Sequence, residues 1–192
     1  FSHLPLLLRP DGNGKLSKRD GDRLGFPVFP LSGSLLDIKT GQPESFTGYR
    51  ESGYFPEAFI NMLALLGWHT SGNQELFSKE ELIQEFSLER VSKSGAKFDA
   101  EKTKWFNQQY LRMKTDSELV AALKSSPFGS AQDDNVSKTS DAYLAEVCRL
   151  MKEKVSFVHE IAEQGKFFFE DPTTYDDAVI KKRWNEESKK FI

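Results

Sequence analysis

The sequence is poor in cysteine, has no long apolar run and carries no large excess of charge of one sign. Its single cysteine, Cys148, rules out an internal disulfide and suits a reducing compartment, so we expect a cytoplasmic protein. No stretch of about 18 apolar residues occurs, so we expect no membrane association. The first residues lack a basic n-region and a cleavage site, so we also expect no signal peptide.

Residues that usually bind metals or act as nucleophiles are also few. His3, His69 and His159 lie far apart in the sequence, and one cysteine cannot build a cysteine-rich zinc site, so we expect no metal site. Cys148 falls on the apolar face of an expected helix, which indicates a core residue rather than a nucleophile. No set of Ser, His and Asp has local support.

The net charge is -3, whereas a protein that binds nucleic acid with its whole surface is usually basic. Any contact with phosphate must therefore be local. The first basic patch, called here the basic segment, is Lys15-Leu16-Ser17-Lys18-Arg19, directly after a glycine-containing turn. Such a segment brings ammonium and N–H donors onto a phosphate chain, although an ordinary solvated turn has the same composition. It is not a Walker loop, because Leu16 stands where Ser or Thr is required.

A second basic patch, called here the lysine patch, surrounds a Ser/Gly loop and the start of the helix that follows. It consists of Arg90, Lys93, Lys97, Lys102 and Lys104. It is either a solvated face or a contact surface for a phosphate backbone. The residues alone do not decide between these two interpretations.

The pattern of the chain predicts a mainly α-helical fold with one small β element near the N-terminus. Residues 3–9 are expected to form a short buried strand, and residues 31–48 an irregular excursion with a turn near residues 39–41. Pro56 and Gly67 mark the ends of a helix that is apolar on nearly every side and should be buried.

Further helix starts are marked by caps. Ser78 with Glu81 and Thr115 with Glu118 form capping boxes, and Asp99 caps a helix between them. Residues 125–140 are expected to be a loop or a partly ordered connection. The side chains expected on buried helix faces are Leu82, Ile83 and Phe86, then Trp105, Phe106, Tyr110 and Met113, then Leu119, Val120 and Leu123, then Leu144, Val147, Cys148 and Met151.

Toward the end of the chain, Ser156 is expected to cap a helix with Phe157, Val158, Ile161 and Ala162 on its buried face. Residues 167–169 would close this helix, and Asp171 with Pro172 would stop it. A last helix is expected to start at Asp176 and to run through Trp184.

Five segments in order resemble one family. The basic segment is similar to the signature loop of class I aminoacyl-tRNA synthetases, in the form that bacterial glutamyl-tRNA synthetases have. The other similar segments are residues 3–12, residues 53–58 running into 63–68, residues 86–98 and residues 105–112. The resemblance covers most of residues 1–114, and a weaker likeness continues through residues 167–169.

The resemblance implies a place within a longer enzyme, and both ends of the chain look cut. Residues 1–114 would hold the signature loop and the helical stem-contact domain. Residues 115–192 would be the N-terminal part of a truncated helical-bundle anticodon-binding domain. The parent would join L-glutamate to tRNA(Glu) through a glutamyl-adenylate, using ATP and Mg. We expect the parent to be a monomer and the isolated piece to be inactive and to bind no cofactor tightly.

The resemblance also implies roles for single residues. Lys18 would make the main catalytic contribution by stabilising charge on the pyrophosphate, and Lys15 would share the phosphate contacts. Ser17, with Leu16 and Arg19, completes the ATP-contacting segment, and the lysine patch would contact tRNA. Asp20 stands where the family often has His, which adds a carboxylate beside the segment. Residues 22–47 are longer than in many relatives, and no function is assigned to them.

Two alternatives remain open at this point. Within the family, the alternative is a closely related glutaminyl enzyme or an enzyme that charges both tRNAs, because the segments above do not hold the amino-acid pocket. A stand-alone helical domain that binds RNA or docks to a protein, with a merely basic loop, is the alternative from another class.

Overall fold

The fold is mainly α-helical, as predicted, in a computed structural model that describes residues 4–125, 134–171 and 177–183. The described β-strands are β1 (Leu7–Leu8), β2 (Gly33–Leu36), β3 (Pro43–Phe46) and β4 (Ala96–Lys97). The described α-helices are α1 (Lys18–Leu24), α2 (Pro56–Leu65), α3 (Lys79–Glu85), α4 (Ala100–Met113), α5 (Asp116–Ser125), α6 (Asp134–Lys138), α7 (Asp141–Met151), α8 (His159–Gln164) and α9 (Asp177–Arg183). Two 3₁₀ turns, Leu88–Arg90 and Lys166–Phe168, complete the described elements.

The predicted N-terminal strand is present, but it is short and not buried. β1 pairs in parallel with β4, and the backbone of Lys15 pairs with Leu8 on the other side. Leu4 and Leu6 are 69% and 57% exposed. The prediction of burial is therefore wrong here, because no described element packs over the side chains of these leucines.

The helix pair α2 and α4 forms the centre of the first half of the chain. Pro56 occupies the first helical position of α2, as predicted. One side of α2 packs into a core with α4, whereas Ile60 and Leu63 are exposed on the other. The expectation that α2 is buried on nearly every side is therefore wrong. The buried members of this core are Phe26, Tyr49, Tyr54, Ala58, Met62, Phe98, Phe106, Tyr110 and Phe157.

The predicted cap of α3 is confirmed. The Ser78 hydroxyl accepts from the Glu81 N–H at 3.2 Å, and the Glu81 carboxylate accepts from the Ser78 N–H at 2.7 Å. Leu82 is buried with Trp68 and Phe77. Two neighbours of Leu82 that were expected to be buried, Ile83 and Phe86, are exposed because α3 has only two turns and buries one stripe.

Helix α4 begins after Asp99, whose carboxylate accepts from the Lys102 N–H at 3.0 Å, as predicted. Phe106 and Tyr110 are buried on its inner face and Trp105 is half-buried. Met113 is 62% exposed, so its predicted burial is wrong. It lies in the last turn of α4, beyond the part of the helix that packs on α2.

Helices α5, α7 and α8 pack around a second core. The Thr115 and Glu118 cap is confirmed by hydrogen bonds in both directions. The predicted buried faces of α5 and α7 are also confirmed. The buried members of this core are Leu111, Leu119, Val120, Leu123, Val136, Leu144, Val147, Cys148, Met151, Val155, Val158, Ile161 and Ala162.

The expected loop at residues 125–140 is wrong in its second part. Residues 134–138 form α6, which buries Val136 completely, while residues 126–133 lie outside the described part. One apolar residue among polar neighbours gives no periodic signal, so the short helix could not be seen in the sequence. Among the side chains of α6 that the structure describes, Val136 is buried in the second core, which favours this helix.

Helix α8 starts later than predicted, at His159. The predicted cap at Ser156 is wrong, because the Glu160 carboxylate instead accepts from the N–H groups of Ser156 and Phe157, at 2.7 and 3.1 Å. Pro172, Asp176 and Trp184, which bounded the last predicted elements, lie outside the described residues. The described helix between them is α9.

The two cores meet at Asn107, a fully buried residue on α4. Its Oδ1 accepts from the Phe55 N–H at 2.8 Å, and its Nδ2 donates to the Ser156 carbonyl at 2.7 Å. One side chain thus joins the entry to α2 with the segment before α8. In the described parts of the chain, no helix has the length and apolar character needed to cross a membrane.

Candidate functional site

The basic segment joins a strand-like residue to a helix. Lys15 pairs with Leu8 through the backbone, and Lys18 is the first residue of α1. The preceding turn is closed by the Arg9 N–H, which donates to the Gly14 carbonyl at 3.1 Å. Gly14 has φ +87°, in the left-handed region where glycine is favoured, which explains the glycine directly before Lys15. The turn at Gly14 and the pairing of Lys15 with Leu8 therefore fix the start of the basic segment.

A buried carboxylate holds the segment in place. Asp20 is 3% exposed, and its Oδ2 accepts from the Ser17 N–H at 2.8 Å and from the Ser17 hydroxyl at 2.6 Å. Arg9 and Arg23 also donate to this carboxylate, at 3.1 and 2.9 Å. The hydrogen bonds from Ser17, followed by those from Arg9, lower the pKa of Asp20 to about 2. Asp20 is consequently ionised at neutral pH.

Asp20 adds a carboxylate beside the basic segment, as the sequence indicated, and the structure shows which residues this carboxylate pairs with. Since Arg9 and Arg23 both pair with Asp20, the carboxylate does not need Lys15 or Lys18 as partners. The Ser17 hydroxyl donates its only proton to Asp20, so we assign Ser17 a structural role in the turn. The pattern Ser-x-x-Asp is a helix-start signal that would have identified this pair from the sequence.

Lys18 and Arg19 both contact residues from the long excursion that follows α1. The Lys18 Nζ lies 5.2 Å from the centroid of the Phe29 ring. The Arg19 Nη2 lies 2.6 Å from the Asp37 Oδ2. The excursion contains an antiparallel hairpin, β2 with β3, where the sequence predicted irregular structure; the predicted turn near residues 39–41 is present.

The backbones of Lys97, in the lysine patch, and Lys15 pair with Leu8 from opposite sides. Residues directly opposite one another in a sheet share a face, so both lysines project from the same face, flanking Leu8. The other face carries Leu7 and Leu16, which line an apolar pocket with Phe26. The lysine face is therefore the outward one.

The lysine patch divides into paired and unpaired residues. Lys102 pairs with Glu75, and Lys104 pairs with Glu101 at 3.4 Å. Arg90 pairs with Glu85 at 3.4 Å and lies over the Trp68 ring. Among the described residues, Lys93 and Lys97 have no ion-pair partner. Their ammonium groups can therefore contact phosphate without first leaving an acidic partner.

We expect Asp20→Asn to lower the free energy of unfolding at neutral pH. The folded pKa of Asp20, about 2, lies below the ordinary aspartate value of about 3.9. Its stabilisation is therefore complete above about pH 4 and is lost as the pH falls through about 2. Urea unfolding at neutral pH and at about pH 4, 3 and 2 should show the gap to the wild type closing with acid. Glu44→Gln on β3 is the charge-matched control, and a gap that stays constant would contradict this assignment.

Two family models match the chain in succession. Residues 39–105 match the model described as tRNA synthetases class I (E and Q), catalytic domain. Residues 108–192 match the model described as anticodon binding domain. The junction between the two matches lies inside α4, the helix that contributes to both cores.

Curated relatives match over nearly the whole chain. A glutamate–tRNA ligase of Phocaeicola vulgatus is 54% identical over 98% of this chain, and one of Bacteroides fragilis is 52% identical over all of it. The chain spans about a third of the length of these relatives, 35% and 36%. A crystal structure of a glutamate tRNA ligase from Elizabethkingia meningosepticum, in complex with its amino acid, superposes with a TM-score of 0.84. It is 46% identical, and the match covers 100% of this chain and 36% of that one.

Proposed function

We propose that the chain is part of a glutamate–tRNA ligase, a class I tRNA synthetase, and that it supplies two parts of such an enzyme; the similarity to these ligases and the two matching family models support this proposal. One part contacts ATP and the other contacts tRNA. The whole ligase would attach L-glutamate to tRNA(Glu) through a glutamyl-adenylate made from ATP. We further propose that the ligase acts as a monomer in the cytoplasm and that this chain alone does not aminoacylate.

The observation that carries the ATP proposal is the state of the two lysines of the basic segment. Lys15 and Lys18 are exposed, and neither has an ion-pair partner among the described residues. The nearby carboxylate of Asp20 is already neutralised by two arginines. Two unpaired ammonium groups on an ordered turn suit the polyanionic triphosphate of ATP.

The proposed mechanism assigns the chemistry to Lys18. Negative charge builds on the pyrophosphate as the glutamate carboxylate attacks the α-phosphorus of ATP. An ammonium group held at that position stabilises the transition state more than the ground state. Lys15 would hold the phosphate chain in place, and Leu16 and Ser17 would fix the turn between the two lysines. Arg19 would be anchored beside them.

ATP would be used with Mg, which supplies positive charge to the phosphates when it is bound. Among the described residues there is no group of three or more His, Cys, Asp or Glu side chains that could hold a metal ion. No step above depends on a protein ligand to Mg.

We propose a domain boundary after α4, with residues 1–114 as the signature segment and stem-contact domain and residues 115–192 as the start of the anticodon-binding domain. The succession of the two family matches and the presence of two buried cores support this division. The lysine patch falls in the first domain. Lys93 and Lys97 would make its main tRNA contacts, whereas Arg90, Lys102 and Lys104 would first have to leave the acidic partners described above.

Binding of this chain to tRNA tests the proposal. We expect Lys97→Ala to weaken binding to tRNA(Glu) and to reduce the slope of log affinity against log salt by about 1, because one phosphate contact is lost. Lys79→Ala, an exposed lysine outside the patch, should leave the slope unchanged. Fluorescence titrations at several salt concentrations give both slopes. Equal slopes for Lys97→Ala and the wild type would contradict a phosphate contact at Lys97.

A second candidate is an enzyme that charges both tRNA(Glu) and tRNA(Gln), or a glutaminyl enzyme. The matched family model includes enzymes for both amino acids. The same titration with tRNA(Gln) and with a generic RNA duplex separates the candidates. Binding that favours tRNA(Glu) supports the glutamate enzyme, and equal binding to both tRNAs with none to the duplex supports dual specificity.

A further inference from the structure

The excursion after α1 contacts the basic segment at two separate points. Its core is the hairpin formed by β2 and β3, residues 33–46. One contact is made by the turn of the hairpin and the other by an aromatic pair at its base. These contacts fall on Lys18 and Arg19, which are adjacent residues in the first turn of α1.

The first contact is an ion pair with a fixed carboxylate. The Asp37 Oδ2 accepts from Arg19 at 2.6 Å, while its Oδ1 accepts from the N–H groups of Lys39 and Thr40, at 2.7 and 3.1 Å. The Asp37 side chain is therefore held by its own turn and cannot simply follow Arg19. Arg19, whose side chain is 63% exposed, is joined to the hairpin through this ion pair.

The second contact is aromatic. Phe29 stacks on Phe46 of β3 with ring centroids 4.0 Å apart, and the Phe29 carbonyl accepts from the Tyr49 N–H at 2.8 Å. The ring is thus fixed on both the backbone and the side-chain level. The Lys18 ammonium lies over this fixed ring, where a cation–π interaction holds it.

We propose that the hairpin is a positioning element for adenylate formation, with Asp37 acting through Arg19 and Phe29 acting through Lys18. This inference rests on the proposed function. Asp37 and Phe29 need not touch ATP themselves. They order the two residues before the nucleotide arrives, so less conformational freedom has to be lost in the transition state.

The test measures glutamate-dependent exchange of pyrophosphate into ATP, in the presence of tRNA(Glu), by a full-length ligase that carries this chain. We expect Asp37→Asn and Phe29→Leu each to lower kcat by about threefold, and the double variant by about tenfold, with KM for glutamate unchanged. Asparagine at position 37 retains the Oδ1 acceptor for the turn, so the hairpin should stay folded while Arg19 loses its charged partner.

Two control variants separate positioning from a merely structural role. Glu44→Gln removes a carboxylate from the same hairpin, where the described residues offer it no partner, and should leave kcat unchanged. Phe29→Tyr retains an aromatic ring under Lys18 and should retain wild-type kcat. If Asp37→Asn and Phe29→Leu leave kcat unchanged or raise it, the inference is wrong. A wild-type ligase without any exchange activity would instead contradict the proposed function.

Discussion

Replacing Lys18 by alanine in a full-length ligase that carries this chain is expected to lower kcat for adenylate formation by about 10²–10³-fold. The reason is that charge develops on the departing pyrophosphate, and a preorganised ammonium group stabilises that charge more than it stabilises bound ATP. KM for ATP should change much less than kcat. Steady-state pyrophosphate exchange in the presence of tRNA(Glu), with ATP and glutamate varied separately, measures both constants.

Two controls identify the loss as chemical. Lys18 is exposed and makes its described contact only with the Phe29 ring, so Lys18→Ala should barely change the free energy of unfolding. Lys39→Ala removes an exposed lysine from the hairpin turn and should retain kcat. A drop in kcat for Lys39→Ala as large as for Lys18→Ala would show that net charge, rather than the position of one ammonium group, controls the rate.

Local signals in the sequence predicted the starts of α3, α4 and α5 correctly. The caps at Ser78, Asp99 and Thr115 are confirmed because each is a side-chain-to-backbone interaction within a few residues. α6 and the hairpin were missed because distant partners stabilise them. Val136 is buried by the second core, and the register of the hairpin is fixed by contacts such as the Phe29 and Phe46 stack.

In the candidate site, too, features set by neighbouring residues could be predicted, whereas features set by distant partners could not. The basic segment could be identified from five consecutive residues. The Ser17 and Asp20 pair could also have been predicted, because Ser-x-x-Asp is a local helix-start pattern. The placement of Lys97 and Lys15 on either side of Leu8 could not be predicted, because it depends on Leu8 pairing with both residues at once. Sequence spacing contains no information about such pairing. The exposed leucines of the N-terminal segment were predicted wrongly for a related reason, because apolarity indicates a preference for burial but not the presence of a covering element.

The largest effect on stability is expected at Asn107. Truncation by Asn107→Ala leaves the buried Phe55 N–H without its acceptor and the Ser156 carbonyl without its donor. A buried polar group that loses its partner costs about 1–3 kcal/mol. We therefore expect the free energy of unfolding to fall by about 3–5 kcal/mol, measured by urea denaturation. Gln108→Ala, at the next position of α4, should change it by no more than about 0.5 kcal/mol.

Asn107→Asp separates the two halves of this interaction. Aspartate retains an acceptor for the Phe55 N–H but places a second oxygen against the Ser156 carbonyl, where the amide had donated at 2.7 Å. Its damage should therefore concentrate on the segment before α8, and amide hydrogen exchange should speed up there more than at Phe55. Uniform exchange along α4 and an unfolding free energy within about 1 kcal/mol of the wild type would contradict the role of Asn107. Because this one side chain is shared by the entry to α2 and the segment before α8, its loss should loosen the junction between the two cores before it unfolds either of them.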